Sequence, residues 1–358
     1  MLLKRLPGER ENRRISSTMT IFVTGGAGFI GSNFVRYWLK THPEDSVIAY
    51  DALTYAGNLE NLRDVENNPH YRFVKGDIGD YAVARAALEG VDVVVNFAAE
   101  SHNDRGILDP GIFLRTNVLG TQILLAAAKD ANVSRFHHIS TCEVFGELEL
   151  DEERMFKEND AYLPKTPYNA SKAAANHVVM SYFHTFKMPI TISHCANNYG
   201  PYQFPEKVIP VFATNALEDK PLPVFKTSQN RREWIHVDDH ARAIDLILQK
   251  GKVGEAYNVG TRVEKSVEEI ANLVLETLGK PSSLKTTVPD RLQHDKRYLL
   301  DPTKIERELG WKAEIPFDQG IRETILWYRD NPEWWTRCKS GAYQEYYDMY
   351  YQDKLGKL

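Results

Sequence analysis

From Met19 onward, short apolar runs alternate with amphipathic stretches along the chain. The runs at 20–24, 46–51, 71–75, 92–98, 135–140 and 189–195 read as buried strands, while helical spacing of apolar positions covers 29–40, 82–88, 116–130 and 168–186. Strands separated by helices imply parallel pairing through right-handed crossovers, so the pattern predicts an α/β fold with a Rossmann-type doubly wound sheet. Near Asn198 the alternation gives way to Pro-rich loops, with helices predicted at 208–217, 239–249, 267–278 and 318–328. We therefore expect a dinucleotide-type domain over 19–197, a smaller C-terminal α/β lobe over 198–335 that mainly takes the substrate, and a tail over 336–358. The aromatic stretch 334–351 should pack against the fold. Residues 1–18 are polar and basic without periodicity and read as a disordered lead.

Composition narrows the classes. The 358 residues are 42% hydrophobic and 26% charged, which is ordinary for a globular protein and excludes a fibrous repeat. A net charge of −5 gives no electrostatic reason to bind nucleic acid. Three widely spaced cysteines, Cys142, Cys195 and Cys338, form neither a disulfide framework nor a metal knuckle, which points to a reducing cytoplasm. No stretch reads as the roughly 20 apolar residues of a membrane helix, and no signal peptide is evident, so no membrane partner is expected. His137 and His138 are adjacent on a strand and must face opposite sides, which argues against a shared metal. Cys195 reads as core, and Cys338 as a tail residue without a partner.

Two local patterns carry chemistry. The first strand runs into Thr24-Gly25-Gly26-Ala27-Gly28-Phe29-Ile30-Gly31, which opens a helix. Gly25, Gly28 and Gly31 let the turn close and approach a pyrophosphate, with Phe29 and Ile30 at the helix N-terminus where negative charge is favoured. Asp51 ends the second strand and can hold a ribose 2′-hydroxyl. Ala52 and Leu53 follow it, without an Arg for a 2′-phosphate, so NAD is expected rather than NADP. Asp77-Ile78 and Ala98-Ala99 end the next two strands, where the adenine and ribose of that cofactor would lie. In the second pattern, Tyr168 and Lys172 stand four apart on one helix face, so the ammonium should lower the phenol's pKa toward the range useful for proton transfer.

With Ser140-Thr141 at the end of the fifth strand, these features resemble the extended short-chain dehydrogenase/reductase family. The motifs Asp51-Ala52-Leu53-Thr54-Tyr55-Ala56-Gly57-Asn58-Leu59, Ala98-Ala99-Glu100-Ser101-His102, Asn197-Asn198-Tyr199-Gly200-Pro201, Pro205-Glu206-Lys207 and Asp290-Arg291 with His294-Asp295 sharpen the resemblance to the dTDP-glucose 4,6-dehydratases over residues 20–335. This implies an NAD-dependent lyase that recycles its cofactor while oxidising C4 of a nucleotide hexose, eliminating water across C5 and C6, and returning hydride to C6. Under it, Thr141 would bond the reacting hydroxyl, Tyr168 would be the base, and Lys172 would also hold the nicotinamide ribose. The nucleotide sugar would meet Glu100, Ser101, Asn197, Lys207, Val208, Arg232, Arg291 and His294, the two guanidiniums suiting its diphosphate. The resemblance also implies a homodimer through the helices at 116–130 and 168–186.

The chemistry of elimination agrees with this reading. A 4-keto group acidifies C5–H, so Glu143 is the natural base while a neighbouring acid protonates the departing 6-hydroxyl. That neighbour is Cys142, where the resemblance implies Asp, and Phe145 replaces the usual Tyr. The triplet Thr141-Cys142-Glu143 resembles that of the UDP-GlcNAc 5,6-dehydratases, in which hydride returns to C4 and a 5,6-alkene results. Asn103, Gly106 and the run 224–228 also depart from the 4,6-dehydratase pattern, leaving open dTDP against UDP and the hexose. A silent NAD- or nucleotide-sugar-binding protein is the other alternative, for which Cys142 is the main support.

Overall fold

Alternating side chains on β1 (Thr20–Thr24) already define the layers, because Ile21 and Val23 enter one apolar core and Phe22 the other. The computed structural model describes residues 18–102, 109–290 and 295–340. Strands β1, β2 (Ser46–Asp51), β3 (Tyr71–Lys75), β4 (Val93–Asn96), β5 (Arg135–Thr141), β6 (Ile190–Cys195) and β10 (Ala256–Val259) form one sheet in the order β10-β6-β5-β4-β1-β2-β3. Every pairing in it is parallel.

Both faces of the sheet are covered, as an all-parallel sheet requires. On one side Phe34 and Trp38 of α1 (Phe29–Thr41) pack with Ile244 and Ile247 of α6 (Val237–Lys250). On the other, Leu124 and Leu125 meet Val179 and Tyr182 of α4 (Pro167–Phe186), with α2 (Tyr81–Ala87) alongside.

The helix expected at 116–130 is longer than its pattern implied. This element, α3, runs Gly111–Asp130 and widens into a π-helical turn over Leu114–Gly120. It also corrects the reading that no segment approaches membrane-span length: α3 has 20 residues, and an 18-residue window within it has a mean hydropathy of 1.3. Its apolar face is accounted for in part by packing, since Phe113, Leu124, Leu125, Ala127 and Ala128 are buried.

The C-terminal half holds short strands that the pattern did not signal. β7 (Asn197–Tyr199), β9 (Arg231–His236) and β11 (Glu264–Ser266) form a three-stranded sheet, and β8 (Leu222–Phe225) pairs with β12 (Lys285–Val288). Helices α5 (Val208–Leu217), α7 (Val267–Leu278) and α9 (Phe317–Asp330) bury Phe212, Ile270, Val274, Ile321 and Ile325 against Trp234. Between these elements and the large sheet, β10 belongs to the sheet although it lies beyond residue 198. Helices α8 (Thr303–Leu309) and α10 (Pro332–Cys338) complete the described fold. Trp334, Trp335 and Cys338 are buried, so the start of the aromatic tail packs as expected.

Candidate active site

The strand order reverses direction between β1 and β4, and crevices at such switch points hold ligands. A cavity of about 620 Å³ opens there and extends to the C-terminal sheet. Thr24 Oγ donates to Asn96 Oδ1 at 2.6 Å and accepts from the Ala98 amide at 3.2 Å, tying the two strand ends together. Gly25 has φ +64°, and a Cβ there would stand 2.9 Å from the Ala98 nitrogen, so only glycine fits. The first turn of α1 has no side-chain cap and no acidic residue, leaving its amides to an anionic ligand. Gly25, Gly28, Phe29, Ile30, Gly31, Asp51, Asp77, Ile78, Ala98 and Ala99 all line the cavity. The Asp51 carboxylate accepts from the amides of Ala27 at 3.0 Å and Leu53 at 2.8 Å, and burial raises its pKa. It thus orients the glycine turn while facing the cavity. This donor set fits a dinucleotide.

The catalytic candidates converge at the ends of β5 and β6. Thr141, Glu143, Tyr168 and Lys172 line the cavity. The Thr166 side chain caps α4 by accepting from the Asn169 amide, with Pro167 in its first turn, and this sets Tyr168 and Lys172 one turn apart on the inner face. Lys172 Nζ donates to the Ile139 carbonyl at 2.6 Å, and burial brings its pKa down to about 8.

One expectation is overturned. Tyr168 does not titrate below its ordinary range; burial, followed by the negative charge of Glu143, pushes its phenol well above it, with a hydrogen bond from Thr141 acting in the opposite sense. Lys172 is committed to a backbone carbonyl and does not offset the burial.

Cys142 also stands apart from its expected companions, because it is not among the residues lining the cavity. It is 1% exposed in a cluster with Val144, Phe145, Leu148, Phe156 and Ala173, and burial raises its thiol pKa well above the usual value.

Asn117, in the π-helical turn of α3, links the Glu100 segment to α4, the helix that carries Tyr168 and Lys172. Its side chain accepts from the Glu100 amide at 2.9 Å and donates to the Glu100 carbonyl and Ser171 Oγ, each at 2.9 Å. Lys207 Nζ donates to the Ser101 carbonyl at 2.8 Å, and Asn197 to the Glu233 carbonyl at 3.3 Å. Glu100, Ser101, Asn197, Lys207, Val208 and Arg232 line the cavity, while Arg291 and His294 lie outside the described residues, as do Asn103 and Gly106. Phe212, Pro223, Phe225, Trp234 and Val267 contribute an apolar part of the same lining.

Sequence reasoning missed Tyr298, whose ring lies 4.9 Å beneath the Arg232 guanidinium and whose hydroxyl donates to Asp295. It also assigned no role to Tyr55, which donates to Glu206 Oε1 at 3.2 Å across the cavity. The motifs containing Glu206 and Asp295 were the available signals; nothing local marked Tyr298.

The remaining singled-out residues are structural. His137 bonds Thr191 and Ser193 while His138 faces Asn96, so the two histidines do point to opposite sides. Cys195 lines the cavity and donates to the Ser140 carbonyl at 3.3 Å. Cys338, expected to lack a partner, accepts from Asn58 Nδ2 at 3.5 Å.

Comparison with known proteins accords with this arrangement. Residues 22–324 match the family described as GDP-mannose 4,6 dehydratase. The dTDP-glucose 4,6-dehydratase of Salmonella typhimurium is 44% identical over 361 aligned residues, covering 94% of this chain and all of that protein. The structure of the dTDP-glucose 4,6-dehydratase DesIV from Streptomyces venezuelae, which contains NAD, is 46% identical and superposes with a TM-score of 0.87 over 90% of this chain and 100% of its own. A UDP-glucose 4-epimerase from Thermotoga maritima is 27% identical over 88% of this chain and 100% of its own, with a TM-score of 0.81. The chain therefore belongs to the nucleotide-sugar 4,6-dehydratase family of the extended short-chain dehydrogenases/reductases.

Proposed function

We propose that the protein is an NAD-dependent dTDP-glucose 4,6-dehydratase, a hydro-lyase that forms a 4-keto-6-deoxy sugar. The observation carrying this reading is one cavity that holds both the glycine turn and the group Thr141, Glu143, Tyr168 and Lys172. Gly25, Gly28, Phe29, Ile30, Gly31, Asp51, Asp77, Ile78, Ala98 and Ala99 would hold NAD, which when bound accepts the C4 hydride and returns it to C6.

Tyr168 takes the C4 hydroxyl proton, with Thr141 holding that oxygen. The phenol is held high by burial and Glu143; the cofactor, when bound, would supply positive charge that favours its ionised form. Glu143 then removes the C5 proton that the 4-keto group has acidified. Cys142 is walled into the apolar cluster, so Glu143, now protonated, also delivers the proton to the departing C6 oxygen; the proton that Tyr168 took from the C4 hydroxyl then passes through solvent to Glu143, which returns it to C5 as hydride returns to C6. Arg232 and Lys207 face the diphosphate, with Glu100, Ser101, Asn197 and Val208 around the nucleotide sugar and Arg291 and His294 completing the set. The apolar lining residues, Trp234 among them, suit the methyl-bearing thymine, which favours dTDP over UDP. Glucose is the hexose we assign.

Incubation with dTDP-glucose deuterated at C4 tests the reaction. Loss of water with label at C6 is expected; an alkene retaining label at C4 would mean 5,6-dehydration, and free NADH would mean a simple dehydrogenase. We also propose a homodimer through α3 and α4, supported by Leu114 and Leu119 on α3, which are 57% and 53% exposed. Light scattering at the 40.9 kDa monomer mass across concentrations would refute it. Three free, buried cysteines support a cytoplasmic location.

A further inference from the structure

We propose that Asn61 is a positioning residue for the dinucleotide turn and that Trp334, on the C-terminal helix α10, sets the orientation in which it works. This inference rests on the dinucleotide reading given above. Asn61 is 2% exposed and touches no part of the cavity. Its Nδ2 donates to the Ala27 carbonyl at 2.9 Å, inside the glycine turn. Among the described residues, the Asn58 amide also donates to that carbonyl, at 3.0 Å.

The peptide joining Ala27 to Gly28 is therefore fixed at both ends, since its N–H donates to the Gly25 carbonyl at 3.0 Å. With both lone pairs of the carbonyl occupied, the plane cannot rotate to present negative oxygen to the cavity. The amides of Phe29 and Ile30, in the first turn of α1, remain the polar groups facing an anion there.

A carboxamide can flip, and only one orientation donates to Ala27. Trp334 selects it. Its indole Nε1–H, which can only donate, meets Asn61 Oδ1 at 2.9 Å, so the NH₂ group must face the turn. The helix carrying Trp334 is anchored to the same segment by the paired contacts of Arg337 with Glu60, at 2.7 and 2.5 Å. Residues more than 270 positions apart thus brace one peptide of the cofactor turn.

Charcoal-stripped protein and its variants would be tested for NAD affinity by equilibrium dialysis, with kcat at saturating NAD measured in parallel. Trp334→Phe keeps an aromatic ring but removes the N–H. It should raise the NAD dissociation constant about 3- to 10-fold, the scale of one hydrogen bond, with kcat within about twofold. Asn61→Asp should weaken NAD further, because it places an acceptor against the Ala27 carbonyl. In an Asn61→Ala background, Trp334→Phe should have no additional effect on affinity. An unchanged dissociation constant in Trp334→Phe, including one accompanied by a lower melting temperature, would reduce Trp334 to a packing residue and overturn the proposal. An equal loss with and without Asn61 would do the same. Absence of NAD binding by the unsubstituted protein would instead refute the dinucleotide reading itself.

Discussion

Replacing Cys142 with alanine should leave turnover within about threefold of the unsubstituted enzyme, whereas losing a positioned proton donor costs about a hundredfold or more. The perturbation is one sulfur atom at a site that is 1% exposed. Val144, Phe145, Leu148 and Phe156 surround it, so the loss is one of packing, on the order of 1 kcal/mol for a single deleted buried group. Burial, with a further contribution from Glu143, raises the thiol's pKa, which makes it a still weaker acid than a free cysteine. Urea denaturation would measure the stability term. Quenched-flow mass spectrometry with C4-deuterated dTDP-glucose would give the elimination rate and the label's destination. Cys142→Asp extends the test: the same burial and negative neighbours would keep the new carboxyl protonated, and label should still reach C6. A hundredfold loss in Cys142→Ala, with circular dichroism and NAD content intact, would refute the assignment of both proton transfers to Glu143.

Tyr168→Phe should retain the fold and NAD but lose at least about a hundredfold in kcat; near-normal turnover would remove Tyr168 from the mechanism. Lys172 has its pKa lowered to about 8 from 10.5 by burial, so the unfolded chain binds more protons between those values and the lysine's destabilising effect fades as pH rises through that window. The stability gap between Lys172→Met and the unsubstituted protein should therefore shift in favour of the latter from pH 8 to pH 10.5, and a pH-independent gap would contradict the burial argument. Gly25→Ala combines a φ of +64° with a 2.9 Å approach to Ala98, and should lose roughly 2–5 kcal/mol of stability together with NAD binding; chemical denaturation and dialysis would check both.

The elements most legible in the sequence were those whose boundaries coincide with a change of hydrophobic period. β2, α5 and α7 occupy the residues their patterns predict, because apolar runs there stop at turn or capping residues. The Glu-Lys-Ser of β11 and the Asn-Asn-Tyr of β7 show no such alternation and exist as strands through their pairing with β9.

Similar logic governs the site. The glycine turn and the Tyr168–Lys172 pair were readable because their spacing is local. Glu233, whose carbonyl accepts from the lining residue Asn197 but which does not itself line the cavity, was not: it is fully buried, its pKa is raised by burial to about 7, and its carboxylate accepts from the amides of Thr261, Arg262 and Leu300, which lie 28 to 67 positions away. The raised pKa of Tyr168 escaped for the same reason, since neither its burial nor its separation from Glu143 can be read from helical spacing.

The seventh strand of the large sheet has a consequence for synthesis on the ribosome. β6 exposes an open hydrogen-bonding edge until Ala256–Val259 can pair with it, and that segment emerges only after some sixty further residues have been translated. Until then the nascent chain carries the glycine turn and α4 on an unfinished scaffold whose bare edge invites pairing with neighbouring chains. A truncation ending near residue 197 should therefore aggregate rather than persist as a free-standing cofactor module, and exchange of the C-terminal half between homologues would have to carry β10 along with the substrate-facing elements.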